Sequence, residues 1–238
     1  MDTDIKPAAW RRTWVTISAG SVLLAFYWLT YAFAHDFNQK YLRSEDKLIE
    51  WITALSFLSA SVILARLSFI TRKWSAAYLA CIAVFFFVCA GEEMSWGQRI
   101  IGFETPESIR NVNEQNEFNL HNLKSEIIHP KDIVATLIKL FGIVAPLVAW
   151  NRWPKFIPLV AVVPVFVFGE FLSPVRKLIQ PWANETFSAA TALELKLDTA
   201  EFSEMMWGVA VFVAALAIRA AWKQNAESTA DRPGANNF

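Results

Sequence analysis

The sequence predicts an all-α fold, a polytopic membrane helix bundle of about six transmembrane helices with a structured outer loop. Three observations predict it. The 238 residues are 55% hydrophobic and 14% aromatic, include 11 Trp and have a mean hydropathy of +0.31, well to the apolar side of a soluble domain. Six segments approach the roughly 20 apolar residues that a spanning helix needs: about 14 to 34, 48 to 70, 75 to 96, 133 to 150, 156 to 172 and 204 to 222. Basic residues also recur in every second connection, at Lys6, Arg11 and Arg12, at Arg66, Arg72 and Lys73, at Arg152 and Lys155, and at Arg219, Lys223 and Arg232. Because Lys and Arg in short loops favour the cytoplasmic side, both termini are expected there. The inner regions then hold 11 basic and 4 acidic residues and the outer regions 10 and 18, so a formal net charge of zero hides a polarised molecule.

The first segment follows basic residues, and Ala32-Phe33-Ala34 has the look of a signal-cleavage site. Its apolar stretch exceeds a signal core and ends in Trp28 and Tyr31, as an interfacial belt would, so it reads as a retained anchor. Glu50 opens the second helix. The third holds both cysteines, Cys81 and Cys89, which leaves no disulfide framework and makes them small packing residues. It runs into GEEMSWGQR, where Met94, Ser95 and Trp96 continue the helical composition and Gly97 is a natural helix end. On that reading Glu92, Ser95 and Arg99 share one helical face while Glu93 points about 100° away.

The connection 97–132 is too long for a turn and should carry its own structure. Thr105 before Pro106 and Glu107 is an N-cap pattern, and Pro130 opens the fourth helix, with Lys139 about two turns in. In the fifth helix Pro164 is expected to kink the chain and Gly169 to allow a close neighbour, beside Glu170, the best candidate for an intramembrane carboxylate. Glu201 and Glu204 open the sixth. Residues 1–222 thus read as one transmembrane domain that includes the loop, and 223–238, without apolar periodicity, as a disordered cytoplasmic tail.

At 1.5 Å per residue, Glu92 and Glu93 lie about 26 Å along the third helix, at the outer edge of the hydrocarbon. Glu50, Glu170, Glu201 and Glu204 are expected at the same level, and ionisable groups at such depth usually face a bundle interior or cavity. Acids at helix N-termini also offset the macrodipole, which is an alternative role for Glu50, Glu201 and Glu204. Two carboxylates at a helix C-terminus oppose it, so something must compensate there. Lys139 is an available counter-ion or a snorkelling side chain. The loop stretch NVNEQNEFNLHN supplies amide donors and His121, and the spacing of Val112, Phe118, Leu120 and Leu123 suggests that it packs back on the bundle. The expected site is an outward-facing polar floor of Glu92 and Glu93, coupled to Glu170 and lidded by the loop. In it Glu92, Glu93, His121 and Glu170 are the candidate catalytic groups, and Gln98, Arg99, Asn119, Asn122 and Lys139 the candidate substrate-binding ones.

The histidines His35, His121 and His129 all fall on the outer side. Glu117 and His121, or Glu126 and His129, could share helical faces, and the second spacing occurs twice in di-iron carboxylate bundles but once here, so no metal is assigned. P-loop, dinucleotide, HExxH and serine-elbow motifs are missing from the sequence, which names no cofactor. No basic patch interleaves with exposed aromatics, so nucleic acid is not an expected partner. Membrane lipids are, with a protein partner possible through the outer loop.

GEEMSWGQR and NEQNEFNLHN resemble paired stretches, roughly G-E-E-x-S-W-G-Q-R and N-x-Q-x-E-x-N-L-H-N, of uncharacterised multi-pass bacterial membrane proteins. The resemblance covers the third helix and outer loop. It implies a bacterial inner-membrane location and this architecture, and no activity. The glutamate pair also resembles that of glutamic intramembrane proteases of the prenyl-protease type. Those carry an Arg three residues after the pair and histidines on later helices, whereas here five residues separate Glu93 from Arg99 and the later helices hold no His.

Three functions compete. An enzyme at the outer interface would act on a lipid, lipid-linked or peptide substrate, because a carboxyl desolvated or crowded by a like charge suits general acid or base work. An ion-coupled transporter would use the same groups for protons, though no inverted repeat is evident and the polar groups gather on one side of the membrane. A non-catalytic scaffold or partner subunit would use the loop as an interaction surface.

Overall fold

Leucine, isoleucine, alanine and phenylalanine fill Leu48–Ile70 and Trp74–Glu93, with no proline to interrupt the backbone ladder, and each stretch forms one continuous helix. These are α1 and α2, joined by a short connection. The computed structural model describes residues 18, 21–23, 25–27, 29–30, 37–43, 48–71, 74–120, 122–124, 130–140, 178, 181 and 189–230. Two further long helices follow, α3 (Pro130–Lys139) and α4 (Ala189–Ala230). A π-helical turn, Asn38–Arg43, precedes α1.

The described residues contain three stretches long and apolar enough to cross a membrane: α1 with 23 residues, α2 with 20, and the 20 residues Glu201–Ala220 of α4. The fifth segment, 156 to 172, and the fourth beyond Leu140 lie outside the described residues, as does much of the first. Of the first segment Tyr27 is described, and it is buried with its ring 4.3 Å from that of Phe202 on α4.

α1 is the centre of the packing, with α2 on one side and α4 on the other. Both contacts rely on small residues that let backbones approach. Ala60, Ala83, Ala210 and Ala215 are buried in the common core with Phe57, Leu64 and Met206. The Ser61 hydroxyl donates to the Ala83 carbonyl at 2.7 Å, a bond from α1 to α2. Gly208 sits so close to α1 that an added Cβ would meet the Thr53 carbonyl oxygen at 3.2 Å and the Thr53 Cα at 3.3 Å. Ile138 of α3 is buried in the same core, and Lys139 Nζ lies over the Trp207 ring, 5.4 Å from its centroid.

Two boundaries differ from those expected. α4 starts at Ala189, so Glu201 and Glu204 stand well inside the helix and cannot offset its N-terminal dipole; Glu50, in the first turn of α1, can. α4 also continues to Ala230, which corrects the expected unstructured tail for residues 223–230. Ala, Lys, Gln and Glu there are good helix formers and need no apolar face to extend a helix already nucleated.

Candidate functional site

α2 ends at Glu93, earlier than its composition suggests, and the reason lies in the next residues. Ser95 and Trp96 adopt left-handed φ values of 45° and 53°, and Gly97 follows at 79°. Two consecutive non-glycine residues in that region cost of order 1–3 kcal/mol each, so tertiary contacts must hold them. Ser95 is fully buried and its hydroxyl donates to Glu117 Oε2 at 2.8 Å. The Trp96 ring folds back over Gly91, where an added Cβ would lie 2.9 Å from Cε3 and Cζ3, and its Nε1–H donates to Glu92 Oε1 at 2.7 Å. The reversal separates Glu92, Ser95 and Arg99, so the helical face they were expected to share does not form.

This geometry sets up a mutant cycle. Gly91→Ala gains about 1 kcal/mol of helix propensity. It also drives the Trp96 ring off Glu92, losing a charged hydrogen bond of about 1.5–3 kcal/mol, so the net effect should be destabilising. In a Trp96→Ala background nothing remains to displace and the same change should stabilise. Thermal unfolding of the four proteins checks this, and additive effects would show that the ring does not occupy this place.

Residues 98–120 and 122–124 form a cap fastened to this turn by polar groups. Gln98, at the start of the helical turn Gln98–Ile101, donates through Nε2 to Thr105 Oγ1 at 2.7 Å and accepts the Phe118 N–H at 2.8 Å. The Thr105 hydroxyl donates to the Asn116 carbonyl at 2.8 Å. It therefore does not cap the turn Glu107–Arg110, whose N-cap is Pro106, and this corrects the expected N-cap role of Thr105. Asn113, fully buried, is the hub: its Nδ2 donates to the Asn119 carbonyl and to Asn119 Oδ1, and its Oδ1 accepts the Gln115 and Glu117 N–H groups. Asn119 Nδ2 in turn donates to Glu117 Oε2 at 2.9 Å and Ser95 Oγ at 3.2 Å. An antiparallel bridge between Asn113 and Leu123 closes the cap, with the Glu114 N–H on the Asn122 carbonyl and the Lys124 N–H on the Val112 carbonyl, each 2.8 Å. Asn122 Nδ2 also donates to Gln115 Oε1.

The clasp between cap and helix is Glu92. Its Oε2 accepts the Leu120 N–H at 2.5 Å while Oε1 holds Trp96, so two N–H donors compensate a carboxylate placed at the unfavourable end of the helix dipole. Polar bonds dock the loop where apolar spacing had suggested otherwise: Val112 and Leu120 are exposed, and only Phe118, edge-on to Phe103 at 5.5 Å, and Leu123 are partly covered. The stretch from Glu114 to Leu120 is not helical, so no helical face is available for Glu117 to share with His121.

Glu93 faces elsewhere. It lines a small crevice with Glu50, Trp51, Ala54, Met94 and Ile100, a cavity of about 10 Å³, room for a single water molecule, partly open to solvent. Two carboxylate-bearing helix ends thus converge, one from α1 and one from α2, among apolar walls. Of the expected site residues, the structure brings Glu92, Gln98 and Asn119 into the cap's own hydrogen-bond framework and Asn122 into its closing bridge. Glu93 stands in the crevice and Lys139 over Trp207. His121, Glu170 and the Arg99 side chain lie outside the described residues, and with them the expected contacts of His121 and Glu170 with the glutamates. Read from the sequence, Asn113 has no role, Thr105 only that of an N-cap, Ser95 a helical face with Glu92 and Arg99, and Glu117 a face with His121, while Glu50 stands at the level of all the outer carboxylates without Glu93 being singled out. A signal for Asn113 was present, since an Asn amid polar neighbours can bond its own backbone two residues on, as it does to Gln115. Among the described residues, no group of three His, Cys, Asp or Glu side chains is placed to hold a metal ion.

No protein-family model matches the chain, and no curated protein or solved structure matches it.

Proposed function

We propose that the chain is an integral membrane protein of about six spans, in a bacterial inner membrane, that acts as an enzyme at the outer interface on a lipid, lipid-linked or peptide substrate. The observation that carries this reading is the crevice that Glu50 and Glu93 line together with Trp51, Ala54, Met94 and Ile100. Two carboxylates among apolar side chains suit general acid or base work on an amphiphile whose polar end reaches the crevice mouth. The strained turn at Ser95 and Trp96 supports it as well, since backbone strain collects where a site is held in place. In this reading Glu92 positions the cap and Glu93 carries the chemistry, with His121, next in sequence to the clasped Leu120, as its proton partner.

The test is a pair of neutral substitutions. Membranes carrying the wild-type chain should differ from membranes carrying Glu93→Gln in one class of lipid or lipid-linked species on mass-spectrometric profiling, while both proteins unfold at the same temperature. Identical lipid profiles, together with an identical membrane peptide profile, would remove the enzyme reading. They would favour a scaffold, for which the observation is that the cap's buried polar side chains serve its own fold and leave apolar Ile101, Val112 and Leu120 on its surface.

A further inference from the structure

The turn that follows α2 carries an exposed apolar surface that its own fold does not explain. Ile100 and Ile101 are 66% and 75% exposed, and Trp96 and Phe103 are also open. This is not a floppy loop. Gly97 and Gly102, both left-handed, bracket the four-residue turn Gln98–Ile101, and Gln98 ties it to Thr105 and Phe118. A rigid element is therefore built to hold two isoleucines outward.

The patch continues a larger one. Trp96 makes an edge contact with Phe87, ring centroids 6.4 Å apart, and Phe87 stands with Val84 and Val88 on the exposed side of α2. That side belongs to a helix long and apolar enough to cross a membrane, and the Phe87–Trp96 contact joins it to the turn in which Ile100 and Ile101 are exposed. Trp at the end of such a stretch, beside a polar cap, has the composition of a membrane interface.

We propose that residues 96–103 are seated in the lipid leaflet at the capped end of α2, with Ile100 and Ile101 below the headgroups and Gln98 on the cap side. Ile100 is also a wall of the Glu50–Glu93 crevice. Seating it in lipid sets the crevice mouth against the bilayer and not bulk water, which narrows the substrate class to a membrane-resident amphiphile whose polar end reaches that mouth. This deepens the enzyme reading above and rests on it.

Spin labels in vesicles of phosphatidylethanolamine and phosphatidylglycerol test it. With Cys81 and Cys89 replaced by alanine, single labels are placed at Ile101→Cys, at Glu114→Cys on the exposed cap and at Val84→Cys on α2. Collision with oxygen and with a water-soluble nickel chelate then reports depth. The Ile101 label should prefer oxygen and lie about 5–10 Å into the headgroup–acyl boundary, while the Glu114 label prefers nickel. An Ile101 label as aqueous as that at Glu114, with Val84 still in lipid, overturns the seat and leaves the membrane reading standing. A label at Ile101 shielded from both reagents means a protein contact covers the turn, which also overturns the seat. An aqueous label at Val84 would instead overturn the membrane reading, and the seat with it. The enzyme reading fails separately, through the lipid and peptide profiles of Glu93→Gln.

Discussion

Asn113→Ala is expected to release the cap from the end of α2 while α1, α2 and α4 stay folded. Asn113 is fully buried, and its one amide makes four hydrogen bonds, two donated to Asn119 and two accepted from the Gln115 and Glu117 backbone. Removing it leaves buried groups on both sides unpaired. Each unsatisfied buried group costs about 1–3 kcal/mol, against the 0.5–1.5 kcal/mol net value of an intact bond, so the loss should reach about 3 kcal/mol. That exceeds what local loop structure usually holds in reserve. Hydrogen exchange is the measurement: the Leu120 and Phe118 amides, fastened to Glu92 and Gln98, should exchange at least tenfold faster in the variant while α1 amides are unchanged. Asn113→Asp keeps the acceptor and loses the donors, and should fall between. Unaltered protection of Leu120 would mean that Glu92 alone docks the cap.

This variant also separates the cap from the crevice. Glu50 and Glu93 come from helix ends that Asn113 does not touch, whereas Ile100, a crevice wall, is in a turn that Gln98 ties to the cap.

Helix composition was legible because burial against lipid or core needs only apolar side chains, and Leu48–Ile70 and Trp74–Glu93 lie within two or three residues of where hydropathy put them. The end of α2 was not, because Ser95 and Trp96 read as helix continuations. Their left-handed backbone is imposed from Glu117 and Glu92, and no local propensity encodes such a contact. The same holds for the cap. An Asn- and Gln-rich stretch announces hydrogen bonding, but a sequence cannot say whether the amides bind a ligand or one another. Asn119 and Gln98, read as substrate-binding groups, spend their amides on Asn113, Ser95, Glu117, Thr105 and Phe118. Glu50 and Glu93 were placed at one depth by counting residues, yet only the packing of α1 on α2 turns matched depth into a shared crevice.

Gly208→Leu is expected to part α4 from α1. Two effects compete at this position and their sizes decide the outcome. A side chain in place of glycine favours the helix by up to about 1 kcal/mol. Against that, the first carbon added would already stand 3.2 Å from the Thr53 carbonyl oxygen and 3.3 Å from the Thr53 Cα, closer than ordinary van der Waals contact. For alanine the helix gain and a shift of a few tenths of an ångström roughly cancel, so Gly208→Ala should unfold near the wild-type midpoint. Leucine adds three more carbons to a buried position whose first carbon is already crowded. The obstructing atoms are backbone, so unlike the Trp96 ring above Gly91 they cannot swing aside, and no second substitution at Thr53 removes them. Overpacking of this kind costs about 3 kcal/mol. Unfolding in mixed micelles of increasing dodecyl sulfate fraction should show the Leu variant losing helix at a clearly lower fraction than wild type, with the Ala variant beside wild type. A Leu variant with an unshifted midpoint would mean that α1 and α4 do not approach at Gly208.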